Sequence, residues 1–286
     1  MENKVGIVFG GGGGKGAYQI GVLKALDEMG LLGLIKGVSG TSVGALNGAM
    51  FCAGNLDKAV GVWSSIREDM VLIRNDMHGK SSYNGWFSNS GLRLLIKQHV
   101  DLAAVKSSKA VFYATASHIK TPKTFYRYIK AHQEGNLFHR LVTGFLKDAI
   151  TFTATARYFK TGDYDTGVIE DILLASAAIP FVFPDIIIDG EVYADGGIKD
   201  NVPVTPLYND GFRKFLILAL DTDYKFPSNK FPGAMFVELN LNEKDPLKSL
   251  ADILDFTAQG AQARMKLGYE DCIGMADELF DFMHRD

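Results

Sequence analysis

Apolar positions in this chain come in short blocks divided by glycines and polar turns. Val5-Gly6-Ile7-Val8-Phe9 is an apolar run of strand length, and five glycines follow it, Gly10 to Gly14, then Lys15-Gly16. Beyond them Ile20, Leu23, Ala25 and Leu26 fall at helical spacing as far as Gly30, a natural C-cap. Leu34, Ile35 and Val38 predict a second strand, and Ala45, Leu46, Ala49 and Met50 a second helix. Gly40-Thr41-Ser42-Val43-Gly44 lies between the two. Strand, loop, helix, strand, turn and helix in that order begin a parallel α/β sheet.

Further on, Lys109 to Ser117 predicts a strand, and the alternation from Thr124 to Ile129 predicts a neighbour beside it. Ile186 to Tyr193 predicts a hairpin around Asp189-Gly190. Lys214 to Leu220 and Met235 to Leu241 predict later strands. From about Pro246 a helix is expected, with Leu250, Ile253, Leu254, Thr257, Ala261 and Met265 on one face. Trp63 to Phe87 is polar and irregular, which predicts surface loops and short helices. Asn136 to Ala149 carries Leu137, Phe138, Leu141, Val142, Phe145 and Leu146 at helical spacing. It reads as a core helix, or as an acyl-chain wall or lid. With no repeat and no linker, a single α/β domain over residues 1–286 accounts for the chain.

Composition narrows the classes. Hydrophobic residues at 47% and charged residues at 22% support a substantial core. A net charge of -3 gives no basic footprint for nucleic acid. Cys52 and Cys272 stand too far apart for a disulfide framework or a zinc spacing, which fits a reducing compartment. Met1 to Val5 leads into a strand without the apolar stretch of a signal peptide, and no run of 18 apolar residues exists. A cytoplasmic protein is expected, with room for transient contact with a membrane surface. The cations and aromatics around Lys123, Phe125, Arg127 and Lys130 suit such contact, or an ordinary edge strand. The oligomeric state is left open.

Ser42, between glycines at a strand-to-helix turn, has the setting of an exposed nucleophile. Three mechanisms could require the glycine run. A nucleotide loop lacks the acidic residue at the end of the second strand and the Ser or Thr that would hold magnesium. A tight turn explains one glycine better than five. An oxyanion hole fits best: the exposed amides of Gly11, Gly12, Gly13, Gly14 and Lys15 open a helix, and Lys15 adds charge. A hydroxyl nucleophile needs a base. Of the six histidines only His284 follows the candidate acid, and it lies in a polar tail. Asp195, between an apolar strand end and Gly196-Gly197, is the better base, although the same residues also suit an Asx turn. Partial burial would raise its pKa toward a useful value.

Three segments together resemble the patatin-like phospholipase family. Gly11 to Tyr18 with Gly21-Val22-Leu23 is similar to its glycine-rich motif, Gly40 to Ala45 to its nucleophile elbow, and Asp195-Gly196-Gly197 with Asn201 and Pro203 to its Asp-Gly-Gly segment. Ala175 to Pro184 resembles the stretch before the last of these, with Phe181 where the family often has glycine. Lys15 stands where arginine is common, so the charge is kept. The similarity covers about residues 4–220. It implies a three-layer α/β/α sandwich with a mainly parallel central sheet, and a catalytic dyad of Ser42 and Asp195. It implies hydrolysis of lipid acyl esters through an acyl-enzyme on Ser42, without metal or cofactor. Acyl transfer to a carrier or alcohol, thioester cleavage, and a non-catalytic lipid-binding regulator are the rival expectations. Gly40, Gly44, Gly196 and Gly197 support the two side chains in this scheme.

Overall fold

The computed structural model describes residues 4–75, 85–121, 154–221, 226–241 and 253–285. The expected strand at 124–129 and helix at 136–149 lie outside them. The strands are β1 (Val5–Phe9), β2 (Ile35–Thr41), β3 (Val111–Ile119), β4 (Ala154–Lys160), β5 (Ile186–Ile188), β6 (Glu191–Asp195), β7 (Lys214–Leu218) and β8 (Met235–Glu238). The helices are α1 (Ala17–Glu28), α2 (Val43–Cys52), α3 (Leu56–Ser65), α4 (Glu68–Val71), α5 (Ser90–His99), α6 (Leu102–Lys106), α7 (Thr166–Ser176), α8 (Thr205–Asn209), α9 (Ala258–Gly274) and α10 (Ala276–His284). Hydrogen-bonded neighbours in the sheet run β5-β6-β3-β2-β1-β7-β8, with β4 also paired to β3. The pairs from β3 through β2, β1 and β7 to β8 are all parallel. The pairs β3–β4, β3–β6 and β5–β6 are antiparallel.

Alternation along the central strands separates two cores. Val5, Ile7 and Phe9 of β1, with Leu216 and Leu218 of β7, face the large core under α1, α2, α3, α7 and α9. Val8, Phe215 and Ile217 point the other way, against Val204, Leu207 and Phe212 around α8. These are the three layers expected, one helical layer thick and the other thin. Central parallel strands are covered on both faces, which is why they read as unbroken apolar runs.

Local signals account for most boundaries. Gly30 (φ 71) follows α1, and the Leu31 amide reaches back to Leu26 O at 2.8 Å, closing the helix end. Asp189 (φ 52) and Gly190 (φ 82) make the tight turn between β5 and β6. Two expectations need correction. The helix expected from about Pro246 falls partly on residues 246–252, outside the described residues; the last long helix among those described starts at Ala258, because the Thr257 hydroxyl accepts from the Gly260 amide and caps it there. Leu254 and Thr257 are therefore not on its face. The stretch from Trp63 does hold short helical pieces, the end of α3 and α4, but it is not all surface: Trp63 is buried in the large core. Among the described residues no helix is long and apolar enough to cross a membrane.

One feature of the sheet sets up the site. Residues Tyr113 to Ile119 of β3 pair with β4 along one edge. The opposite edge is shared: β2 occupies it up to Thr41 opposite Thr115, and β6 from Tyr193 to Asp195 opposite His118 to Ala116. The two strands run head-on and stop at adjacent positions of β3.

Candidate active site

Ser42 leaves β2 with φ 56 and ψ −127, a conformation L residues rarely adopt, and then opens α2. Gly40 and Gly44 make this turn sterically accessible. A Cβ on Gly44 would stand 2.3 Å from Phe9 O, and one on Gly40 would stand 2.4 Å from Gly44 O. A serine at a helix N-cap usually spends its hydroxyl on capping; here the side chain makes no capping bond. Its amide donates to Ser176 Oγ at 2.8 Å. The nucleophile candidate is thus held through its backbone, while its hydroxyl is left uncommitted.

Asp195 ends β6 and is buried. Its Oδ1 accepts from the Gly197 amide at 2.7 Å, so the Asx turn considered from sequence is present as well. Oδ2 is buried with no hydrogen-bond partner among the described residues. Burial pushes the carboxyl up to about 6, against the opposing pull of the Ser42 hydroxyl and the Gly197 amide. The hydroxyl is therefore close enough to act on the carboxylate, yet the contact falls short of a well-formed hydrogen bond.

The glycine loop lies against Ser42 and Asn201. A Cβ on Gly11 would stand 3.1 Å from Ser42 Cβ and 2.5 Å from Asn201 Oδ1. Asn201 Nδ2 donates to Gly11 O at 3.3 Å, and the Gly11 amide donates to Asn201 O at 3.1 Å. The Lys15 amide donates to Gly12 O at 3.2 Å. Two of the five expected oxyanion amides, those of Gly11 and Lys15, are thus already engaged. The amides of Gly12, Gly13 and Gly14 have no acceptor among the described residues. Gly13 (φ 57) takes a left-handed conformation that favours glycine.

Sequence reasoning missed what holds the loop. Gln19 Nε2 donates to Gly10 O at 2.8 Å and Leu218 O at 3.1 Å. Asn47 Nδ2 donates to Gly16 O and to Gln19 Oε1, each at 2.9 Å, and Asn47 Oδ1 accepts from Trp63 Nε1 at 3.0 Å. Three helices thereby fix the loop through buried polar groups. Only a polar residue inside an apolar helical stretch (Gln19 within 17–23 of α1, Asn47 in α2) could have signalled this. On the far face, Ser39 Oγ donates to Pro203 O and Thr41 Oγ1 to Asp200 O, tying the end of β2 to the segment after Asp195. Tyr158 donates to Asp200 Oδ2 at 2.7 Å. Phe181, where glycine was expected, has φ 66, so the fold does ask for a left-handed residue there. Among the described residues no His, Cys, Asp and Glu side chains gather in a group that could hold a metal ion.

The family model for patatin-like phospholipase matches residues 7–208. A patatin-like phospholipase domain-containing protein of Caenorhabditis elegans is 29% identical over 212 residues, 74% of this chain and 13% of that protein. An uncharacterized NTE family protein of Mycobacterium tuberculosis is 26% identical over 204 residues, 71% of this chain and 45% of its own length. The chain thus matches less than half the length of either relative. The solved structure of VipD from Legionella pneumophila aligns with 97% of this chain and 67% of that one, at 14% identity and a TM-score of 0.49.

Proposed function

The chain belongs to the patatin-like phospholipase family, and on that basis we propose that it is a serine hydrolase of lipid acyl esters working through Ser42 and Asp195. The observation that carries the reading is the strained, uncapped Ser42 facing a buried carboxylate whose second oxygen has no partner among the described residues. In the proposed reaction Asp195 takes the Ser42 proton as Oγ attacks the ester carbonyl. The tetrahedral oxyanion is met by the amides of Gly12, Gly13 and Gly14, which have no acceptor among the described residues. Collapse breaks the bond to the leaving alcohol, which receives the proton from Asp195, and leaves the acyl group on Ser42. Water then attacks the acyl-enzyme, Asp195 again accepting the proton, and the fatty acid departs.

An aspartate with an ordinary pKa would be a weak base for a serine. Burial makes Asp195 a better one without a histidine, and the glycine-loop amides carry the remainder of the electrostatic stabilisation. Removing one such donor costs about 100- to 1,000-fold in rate in comparable sites. The test is labelling by a fluorophosphonate probe together with hydrolysis of a phospholipid and a short-chain ester. Wild-type protein is expected to label at Ser42 and to release fatty acid, and Ser42→Ala to do neither. Hydrolysis retained in Ser42→Ala would sink the proposal.

A further inference from the structure

The hydroxyl of Ser176 sits between the two strand ends that carry the chemistry. It accepts from the Ser42 amide at 2.8 Å and donates to Thr115 O at 2.6 Å, and it is fully buried. Thr115 is the β3 residue opposite Thr41, so this bridge anchors the turn to the strand beside it. Two residues later Ala178 O accepts from the Asp195 amide at 2.8 Å. The C-terminal end of α7 therefore holds the backbones of both Ser42 and Asp195. We propose that Ser176 is a positioning residue, whose hydroxyl fixes the strained Ser42 turn at the level of Asp195.

The chemistry at this position is restrictive. A buried amide without an acceptor is rare in folded proteins, and so is a buried carbonyl left without a donor. One side chain must accept from an amide and donate to a carbonyl within a space that Ser176 fills. A hydroxyl does both. A strained residue persists only where its surroundings over-determine it, and around Ser42 the hydroxyl of Ser176 is the one side-chain partner its amide has among the described residues. The inference rests on Ser42 being the nucleophile.

The test pairs a geometric readout with a chemical one. In Ser176→Ala, amide exchange at Ser42 is expected to rise at least about tenfold as its acceptor disappears. Fluorophosphonate labelling and kcat are expected to fall roughly 10- to 100-fold with KM little changed, the usual consequence of a small misplacement of a reacting group. Ser176→Thr, which keeps the hydroxyl, is expected to recover most of the loss. Ile172→Val, a buried cavity in the same helix, is expected to lower stability without moving kcat. If Ser176→Ala does not fold, Ser176→Cys, of similar size but with a weaker donor, should show an intermediate loss. Unchanged Ser42 exchange, or labelling at the wild-type rate, in whichever of the two variants folds would overturn the inference. Wild-type protein that never labels would overturn the functional reading and the catalytic half of this one; exchange at Ser42 would still decide the geometric half.

Discussion

Replacing Asp195 with asparagine should stabilise the protein at neutral pH while disabling it. Burial raises the carboxyl from its ordinary 3.8 to about 6. At about 1.4 kcal/mol per pH unit, that gap corresponds to about 3 kcal/mol of stability. The sign follows from which state holds the proton more tightly. Between about pH 4 and pH 6 the folded protein binds this proton and the unfolded chain does not, so stability falls as pH rises through that window. Above about pH 6 the whole penalty is present, and below about pH 4 it vanishes. Asparagine carries no charge to desolvate, keeps an oxygen for the Gly197 amide, and offers Nδ2 toward the Ser42 hydroxyl. The variant should therefore gain about 2–3 kcal/mol at pH 7.5, roughly 5–10 °C in melting temperature for a domain of this size. The gain should shrink to near zero by pH 4. Urea and thermal unfolding of wild type and Asp195→Asn at the two pH values measure it. A variant no more stable than wild type at pH 7.5, or equally stabilised at both pH values, would refute the account of Asp195 as a charge held at a cost in the interior.

Three further outcomes are expected. Ester hydrolysis should lose activity on an acidic limb centred near pH 6, about tenfold per pH unit below it, because the base must be ionised; a limb centred at pH 4 in a pH–rate profile would remove Asp195 from that role. Gly44→Ala would place a Cβ 2.3 Å from Phe9 O and 2.7 Å from Gly10 O, with backbone on both sides. It should cost more than about 3 kcal/mol, read as loss of soluble protein or of the urea midpoint, and a wild-type midpoint would contradict the tight turn. Asn47→Leu leaves Gly16 O, Gln19 Oε1 and Trp63 Nε1 without the partner each has now. A loss of about 2–4 kcal/mol in urea unfolding, with a drop in kcat from a loosened glycine loop, is expected; a change under about 0.5 kcal/mol would show that the network is not needed.

What the sequence disclosed was local. The apolar run Val5–Phe9, the glycines after it and the turn around Ser42 each declare themselves within ten residues, and the structure has strand, loop and turn there. Asp189-Gly190 named its own hairpin. The misreadings arose where one residue interrupted a pattern or a distant one overrode it. Thr257 sits at helical spacing from Ala261 and Met265, yet its hydroxyl caps the helix instead of extending it. Trp63 lies in a polar stretch but finds Asn47 across the core. Ser176 and Asn201 were visible only as members of motifs. Their roles lie in partners 134 and 190 positions away in the chain, a separation that no periodicity encodes. The glycine loop shows the same limit from the other side. Five amides looked equivalent, and only the fold reveals that those of Gly11 and Lys15 are already engaged.

The meeting of Ser42 and Asp195 depends least on anything local. β3 is nine residues long and extends past the end of β2, and β6 pairs with that extension from the opposite direction. Because Thr41 ends opposite Thr115 and Asp195 opposite Ala116, the two strand ends face each other across one step of β3. Antiparallel pairing puts Asp195 on the same face as Ala116, which packs in the large core beneath α2 and α7. A one-residue slip of β6 would set Ala194 or Gly196 opposite Ala116 and turn the carboxylate to the other face. Two devices oppose the slip. The two-residue turn at Asp189-Gly190 fixes β6 against β5, and the Asp195 amide is bonded to Ala178 O rather than to a strand that could slide with it. The carboxylate's position is thus set by the length of β3 and the end of α7. Both constraints lie outside the Asp-Gly-Gly segment that first drew attention to the residue.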